Sequence, residues 1–139
     1  MNSKNISLDS LNSFSKNTLV ENLGIEYTEI GNDFICAKMP VDKRTHQPMG
    51  ILHGGASAAL IETLGSIGSY LLIDNKTQFS AGLELNINHI KSIKSGFVYG
   101  KAQIVHQGKT THIWQVDIQN VENKLVSTGR LTVYIGKIS

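Results

Sequence analysis

The chain has 139 residues, of which 40% are hydrophobic and 17% are charged, and its formal net charge is +2. This length and composition predict one globular domain over residues 1–139 and are not those of a disordered chain. The lysines are scattered, without an arginine-rich block, so the charge does not support nucleic-acid binding and suits small anionic ligands better.

Cysteine content and segment polarity indicate the compartment. Cys36 is the only cysteine, so no internal disulfide can form, and the alternation in "DFICAKMP" predicts a buried, inert thiol in a strand. The first residues lack the apolar stretch of a signal peptide. The segment from Gly54 to Ile73 has the length of a membrane span but holds four glycines, three serines, a threonine and a glutamate. We therefore expect a cytoplasmic protein that does not enter a membrane.

Two short helices are predicted near the N-terminus. Apolar residues recur every three positions in "SLDSLNSFSKN", residues 7–17, which is typical of a short amphipathic helix. In "TLVENLG", Thr18 and Glu21 have the spacing of a capping box, and Gly24 is a plausible end of the helix. Residues 25–39 then indicate two short strands around a turn at 31–33.

The most apolar segment predicts a long helix. From Gly54 to Ile73, leucines and isoleucines recur at i, i+4, i+7 and i+11, whereas alanines and glycines keep much of the helix narrow. A helix that is apolar most of the way round is buried in a core. Its small residues would let a curved sheet approach closely.

In the rest of the chain, apolar residues recur at every second position. This pattern predicts four strands at 82–89, 97–106, 111–121 and 124–135, with turns at 94–96, 107–109 and 122–124. Two short strands, one long buried helix and four consecutive strands predict an α+β domain. In such a domain one antiparallel sheet wraps around one helix.

Glu62 is the only formal charge between Gly54 and Ile73. It is an exposed residue at a helix edge, a buried carboxylate paired with a distant cation, or a catalytic carboxylate in an apolar slot, where desolvation would activate the ion. Ser66 and Ser69, at i+4 and i+7, form a thin polar stripe that could orient the acid. For Ser69 a hydrogen bond back to the helix carbonyls is the favoured interpretation.

The "HGG" before this helix is a second candidate feature. Gly54 and Gly55 at a helix N-terminus leave backbone N–H groups free, and the helix dipole adds positive potential, so a ligand oxygen could bind there as in an oxyanion hole. His53 adds a possible side-chain donor. The simpler interpretations are a plain turn for the glycines and a cap or core histidine for His53.

The spacing of these features limits how they can act together. Gly54 and Glu62 are eight residues apart, which is about 12 Å along a helix axis. A nucleophile and its oxyanion donors must both lie within about 3 Å of the reacting atoms. One helix cannot supply both, but two antiparallel copies about a two-fold axis can. If the site is catalytic, the protein must be at least a dimer with two sites at the interface.

The segments "MPVDKRTHQPMGILHGGASAALIETLGS" and "GLELNINHIKSIKSG" resemble the hotdog-fold acyl-CoA thioesterases. They are most similar to the branch that contains 1,4-dihydroxy-2-naphthoyl-CoA hydrolases of menaquinone biosynthesis, the enterobactin proofreading thioesterase and phenylacetyl-CoA thioesterases. The resemblance extends from about Leu8 to Ile135. It implies a curved antiparallel sheet around a central helix, and a homodimer or homotetramer.

The resemblance also implies residue roles. Glu62 would be the nucleophile or general base, and Gln47 would position the water or thioester. His53 would contact the carbonyl or thiolate. The N–H group of Gly55, together with that of Gly54, would polarise the thioester oxygen.

Further residues would bind the substrate. Thr63 and Ser66 would lie near the acid, and Gly82 would border the acyl pocket. The coenzyme A nucleotide and phosphates would be held by His89, Ile90, Lys91, Ser92, His106, Gln107, Gly108, Lys109, Thr110 and Thr111. Lysine at position 91 keeps a positive charge but cannot make the bidentate contact of an arginine.

These features predict an enzyme that hydrolyses an aromatic or medium-sized acyl-CoA, such as 1,4-dihydroxy-2-naphthoyl-CoA, to the free acid and CoA. Coenzyme A would be part of the substrate, and we expect no separate cofactor or metal, since thioester hydrolysis needs none. The alternative is a hotdog protein that binds acyl-CoA without hydrolysing it. A hotdog hydratase is less favoured, because the acid lies in mid-helix.

Overall fold

The computed structural model describes residues 5–139, and its elements follow the predicted order. The helices and strands are α1 (Leu8–Phe14), α2 (Leu19–Asn22), β1 (Glu26–Ile30), β2 (Phe34–Val41), α3 (Gly54–Leu72), β3 (Gln78–His89), β4 (Gly96–Gln107), β5 (Thr111–Gln119) and β6 (Leu125–Lys137). Among these residues, no helix is both long enough and apolar enough to cross a membrane.

The short helix α2 begins differently from the prediction. The Thr18 hydroxyl donates to the carbonyl of Ser15, and the Glu21 carboxylate accepts the backbone N–H of Asn17. The expected reciprocal capping box is therefore wrong. The carboxylate accepts the N–H of Asn17, whose backbone is left-handed with φ of 63°, instead of the N–H of the N-cap residue Thr18. Gly24, with φ of 73°, ends the helix as predicted.

Residues 5–139 contain one six-stranded antiparallel sheet with the strand order β1-β2-β4-β5-β6-β3. The strand that follows α3 therefore lies at the far edge of the sheet, paired with β6. It begins at Gln78, four residues before the predicted start, and a bulge between Gly82 and Glu84 interrupts its alternation. That bulge explains why the period-two pattern did not reveal the first part of β3.

Helix α3 packs across β2, β3, β4, β5 and β6, and its apolar side chains form the core with the inward side chains of the sheet. Leu60, Ile61 and Leu64 are fully buried, as is Trp114 on β5. A Cβ atom at Gly68 would lie 2.5 Å from the Trp114 ring, so a glycine is needed for this close approach. The predicted curved sheet around one buried helix is confirmed.

Cys36 is half-buried on the outer side of the sheet rather than buried in the core. Partial burial raises the pKa of its thiol, the nearby Glu29 carboxylate raises it further, and Lys101 opposes them. Because a thiolate is the reactive form, this environment keeps the thiol unreactive, as predicted.

A buried polar cluster joins α3 to β5. The Ser69 hydroxyl accepts a hydrogen bond from the Trp114 indole N–H at 2.8 Å and lies 2.9 Å from Nδ1 of His112. All three side chains are buried. The favoured interpretation of Ser69 as a serine bonded back to its own helix is therefore wrong, because its hydroxyl satisfies two buried groups on the neighbouring strand.

This cluster predicts acid sensitivity. Burial lowers the pKa of the His112 imidazole, and His106 lowers it further. The His112 side chain then binds a proton more readily in the unfolded chain than in the folded one, so acid favours unfolding. The free energy of unfolding should therefore fall as the pH drops below about 6.5. His112 can contribute at most about 1.4 kcal/mol per pH unit to this fall. In thermal melts between pH 7.5 and 5, His112→Asn should have a smaller slope with pH than the wild type. Equal slopes would contradict a role for His112.

Candidate functional site

The start of α3 is capped by the histidine that precedes it. Nδ1 of His53 accepts the backbone N–H of Gly55 at 2.7 Å. The Gly55 N–H is therefore already occupied, and the capping interpretation of His53 is the one that this conformation shows. The N–H of Gly54 has no hydrogen-bond partner among residues 5–139. Gly54 is the donor that the helix start offers to a ligand oxygen.

A groove of about 270 Å³ opens at this point and is called here the helix-start groove. It brings together six of the predicted residues, namely Gln47, Gly54, His89, Ile90, Lys91 and Ser92. His53 and Gly55 line an adjacent depression of about 290 Å³. The structure thus gathers eight of the predicted residues around one helix N-terminus.

Several contacts hold the helix-start groove in shape. The His89 ring lies against Gly54, where a Cβ atom would be 2.7 Å from Nε2, and its Nδ1 lies 3.0 Å from the Ser127 hydroxyl. The backbone N–H groups of Ile90 and Lys91 both donate to the carbonyl of Val126, at 2.8 and 3.1 Å. The Lys91 side chain is thereby presented on a fixed backbone segment.

The Gln47 amide is oriented for donation. The side-chain carbonyl oxygen of Gln47 accepts the backbone N–H of Met49. The backbone N–H of Gln47 donates to the carbonyl of Ile51 at 2.9 Å. The side-chain NH₂ group has no hydrogen-bond partner in the described part of the chain. It is therefore available to a water or a carbonyl oxygen in the groove.

Glu62 lies on the side of α3 that faces the edge strand β3. A Cβ atom at Gly82 would be 2.6 Å from Oε1 of Glu62, so the carboxylate rests directly on the strand backbone. Within residues 5–139 this carboxylate has neither a hydrogen-bond nor an ion-pair partner, and it is exposed. Of the three interpretations left open, the single chain shows the exposed carboxylate, because β3 is the last strand of the sheet and has no further strand beside it within residues 5–139.

Beside this acid is a mostly apolar groove of about 360 Å³, called here the acid groove. Thr63 and Ser66 line it, as predicted. Its opposite wall consists of residues from the N-terminal part of the chain, including Phe14 and Tyr27. The sequence pattern did not identify these residues, because the three-residue spacing of Phe14 with leucines indicated a core position.

The remaining predicted residues lie in the hairpin between β4 and β5, from His106 to Thr111. The Gly108 N–H donates to the carbonyl of Thr111, and the Ile135 N–H donates to that of Thr110, both at 2.8 Å. This hairpin is therefore beside the end of β6, whereas His89 pairs with the start of β6. Ser127, which pairs with His89, and Ile135, which contacts the hairpin, are eight residues apart along β6, a distance of about 27 Å.

A single chain therefore holds two half-sites along β3, one at its last residue and one in its first half. The first is the helix-start groove near His89. The second contains Glu62 against Gly82, with the β4–β5 hairpin at the same end of the sheet. Among residues 5–139, no three His, Cys, Asp or Glu side chains are arranged to hold a metal ion.

Comparisons with known proteins identify the family. The thioesterase superfamily model matches residues 49–127. The chain is 44% identical over 132 residues to the proofreading thioesterase EntH of Cronobacter turicensis, covering 95% of this chain and 96% of that protein. It superimposes on a mutant thioesterase from Pseudomonas aeruginosa with a TM-score of 0.94 and 40% identity, covering 96% of each chain.

A thioesterase from Haemophilus influenzae gives a TM-score of 0.92 at 42% identity, over 95% of this chain and 92% of that chain. These matches extend over nearly the whole chain and include both half-sites. The chain therefore belongs to the thioesterase superfamily, and it is a hotdog-fold thioester hydrolase.

Proposed function

We propose that the chain hydrolyses acyl-CoA thioesters at sites that two copies share. The observation that carries this proposal is the separation of the two half-sites along the same edge strand, where Gly82 comes well before the last residue, His89. Glu62 rests against Gly82, and the unpartnered N–H of Gly54 lies beside His89. Neither half alone has both an acid and an oxyanion donor within reach of one carbonyl carbon.

The edge strand β3 offers the surface on which two copies would join. It has 12 residues and pairs only with β6 in the described part of the chain. Long unpaired edges are normally covered. Residues opposite each other in an antiparallel pair share a face, so a two-fold axis would pass between the two copies of one residue. With the axis between the copies of Leu85, Gly82 lies opposite Asn88 of the second copy, and with the axis between the copies of Asn86 it lies opposite Ile90. Either register places Gly82 one position from His89 of the second copy. Glu62 would then face the second copy's helix-start groove.

The same pairing would assemble the coenzyme A site. The β4–β5 hairpin of one copy would lie near the segment His89 to Ser92 of the other. Lys109 on the hairpin and Lys91 on the segment are both exposed, so each can contribute a positive charge for phosphate groups. This arrangement supports binding of coenzyme A across the interface rather than on one chain.

The chemistry follows from these positions. The Gly54 N–H, aided by the Gln47 amide, would donate to the thioester oxygen and stabilise the negative charge that develops there. In one route, Glu62 takes a proton from water, which attacks the carbonyl carbon, and the tetrahedral intermediate expels the CoA thiolate, which receives that proton. In the other, the Glu62 carboxylate attacks the carbonyl carbon, the C–S bond breaks and the CoA thiolate leaves. Water then hydrolyses the mixed anhydride, which releases the free acid, restores the Glu62 carboxylate and supplies the proton for the thiolate.

The acid groove supports an aromatic or medium-sized acyl group, with 1,4-dihydroxy-2-naphthoyl-CoA as one candidate. The relative from Cronobacter turicensis is named a proofreading thioesterase, which supports hydrolysis of a thioester. We expect no cofactor, because the coenzyme A enters with the substrate. Acyl-CoA thioesters are cytoplasmic metabolites, so the proposed reaction would take place in the cytoplasm.

A panel of thioesters tests this function. The purified protein is mixed with phenylacetyl-, benzoyl-, 1,4-dihydroxy-2-naphthoyl-, hexanoyl- and palmitoyl-CoA in the presence of a thiol-reactive dye. We expect thiol release from the aromatic and medium-sized thioesters, and less from palmitoyl-CoA. Binding of these compounds without thiol release from any of them would instead identify a non-hydrolytic binder.

A further inference from the structure

We propose that Phe14 and Tyr70 form an aromatic wall that selects aromatic acyl groups in the acid groove. This inference rests on the proposed function, since it concerns the acyl end of the same substrate. Phe14 is the last residue of α1, which lies outside the segment 49–127 that the family model matches. Tyr70 lies on α3 within that segment, so the wall joins a residue of the N-terminal part to a residue of the central helix.

The ring pair is built for stacking. The centroids of Phe14 and Tyr70 are 6.0 Å apart and the rings are inclined by only 22°. Phe14 is 67% exposed, so much of its ring is open to a ligand in the acid groove that it lines. Tyr70 is eight residues after Glu62 on α3, so the pair lies about 12 Å along the helix from the acid.

Helix α1 is fixed rather than loosely attached. The Asn12 side chain donates to the Tyr27 carbonyl at 3.1 Å and accepts the Tyr27 N–H at 2.8 Å, which anchors α1 to β1. Leu11 is buried in the core, and the Ser15 side chain is hydrogen-bonded to the Tyr27 hydroxyl. The exposed Phe14 ring is therefore held in place at the mouth of the groove.

An aromatic acyl group fits the acid groove best. An acyl group whose carbonyl is attacked by Glu62 can extend along α3 past Thr63 and Ser66 to the ring pair, because all of these residues line one groove. A planar ring would stack on the pair, whereas an aliphatic chain would gain only apolar contact. Such aromatic contacts change affinity by roughly twofold to tenfold beyond apolar burial.

Substrate selectivity of Phe14→Leu tests the wall. The variant keeps an apolar side chain but cannot stack, so the ratio of kcat/KM for phenylacetyl-CoA to that for hexanoyl-CoA should fall about threefold to tenfold. Phe97→Leu is the matched control, because Phe97 is also exposed but lies on β4 among the residues that pair with β2. An unchanged ratio in Phe14→Leu, or an equal fall in Phe97→Leu, would overturn the proposal.

A positioning variant and a binding measurement complete the test. Asn12→Ala removes the hydrogen bonds that anchor α1 and should lower the same ratio, with thermal melting used to show that the protein is folded.

Calorimetry with phenacyl-CoA and 2-oxoheptyl-CoA, thioethers that cannot be hydrolysed, should show that Phe14→Leu weakens binding of only the aromatic ligand. Because it needs no turnover, this measurement decides the proposal even if the wild type releases no thiol. Equal weakening of both ligands would contradict the wall.

Discussion

Replacing Glu62 with glutamine should lower kcat for acyl-CoA hydrolysis about 10³-fold, within the range expected when a positioned base or nucleophile is removed. Glutamine has the same shape but can neither accept a proton from water nor attack the carbonyl. Since Glu62 has no hydrogen-bond or ion-pair partner in the single chain described here, residues 5–139, the change should leave the fold and the free energy of unfolding nearly unaltered. Steady-state thiol release and thermal melting measure the two effects.

The control for Glu62 is another exposed acid, on β1 at the sheet edge opposite to β3. Glu29 lines neither the helix-start groove nor the acid groove, and Glu29→Gln should keep wild-type kcat. Binding of free CoA to the Glu62 variant should also be retained, because Glu62 is not among the residues proposed to hold coenzyme A. A Glu62→Gln enzyme that keeps more than a tenth of the wild-type kcat would rule out both routes proposed for this residue.

Mixing Glu62→Gln chains with Gly54→Pro chains should restore about a quarter of the wild-type activity, although each variant alone is nearly inactive. Proline removes the Gly54 N–H and fits the first position of a helix, so it deletes one oxyanion donor, with an expected loss of about 10²- to 10³-fold. Each shared site takes Glu62 from one chain and Gly54 from the other. In a mixed dimer one site therefore contains both substitutions, and the other site contains the native Glu62 and the native Gly54. Random assembly makes half of the dimers mixed, and half of their sites are intact.

The mixed dimer is isolated with two different affinity tags after joint refolding. Because a Cβ atom at position 54 would meet the His89 ring, Gln47→Ala serves as a second helix-start variant if Gly54→Pro does not fold. If the acid and the helix start acted within one chain, every site in the mixed dimer would keep one defect. Activity no higher than that of the two homodimers would then refute shared sites.

The fold was largely predictable because its signals are local. Helix α3 was located by its apolar periodicity and its small residues, and four strands were located by alternation. The errors came where the backbone departs from a regular period. The bulge between Gly82 and Glu84 hid the start of β3, and the left-handed Asn17 replaced the capping box with a different hydrogen bond.

The site was predictable in its residues but not in their placement. The "HGG" and the lone acid were visible as an unusual combination, and helix geometry alone showed that one copy could not unite them. No local pattern could show that His53 caps the Gly55 N–H and leaves Gly54 as the open donor. The role of Ser69 was also misjudged, because its partners His112 and Trp114 are more than 40 residues away in the chain.

The amino-acid sequence by itself determined the element types, the buried helix and the chemical groups that can react, since each depends on residues within a few turns or a few strand positions. Only the tertiary structure decided which groups meet. It placed β3 at the sheet edge, exposed Glu62 there, and brought Phe14 to the acid groove from the N-terminal part of the chain. These positions depend on strand order and packing between distant segments, which no local periodicity encodes.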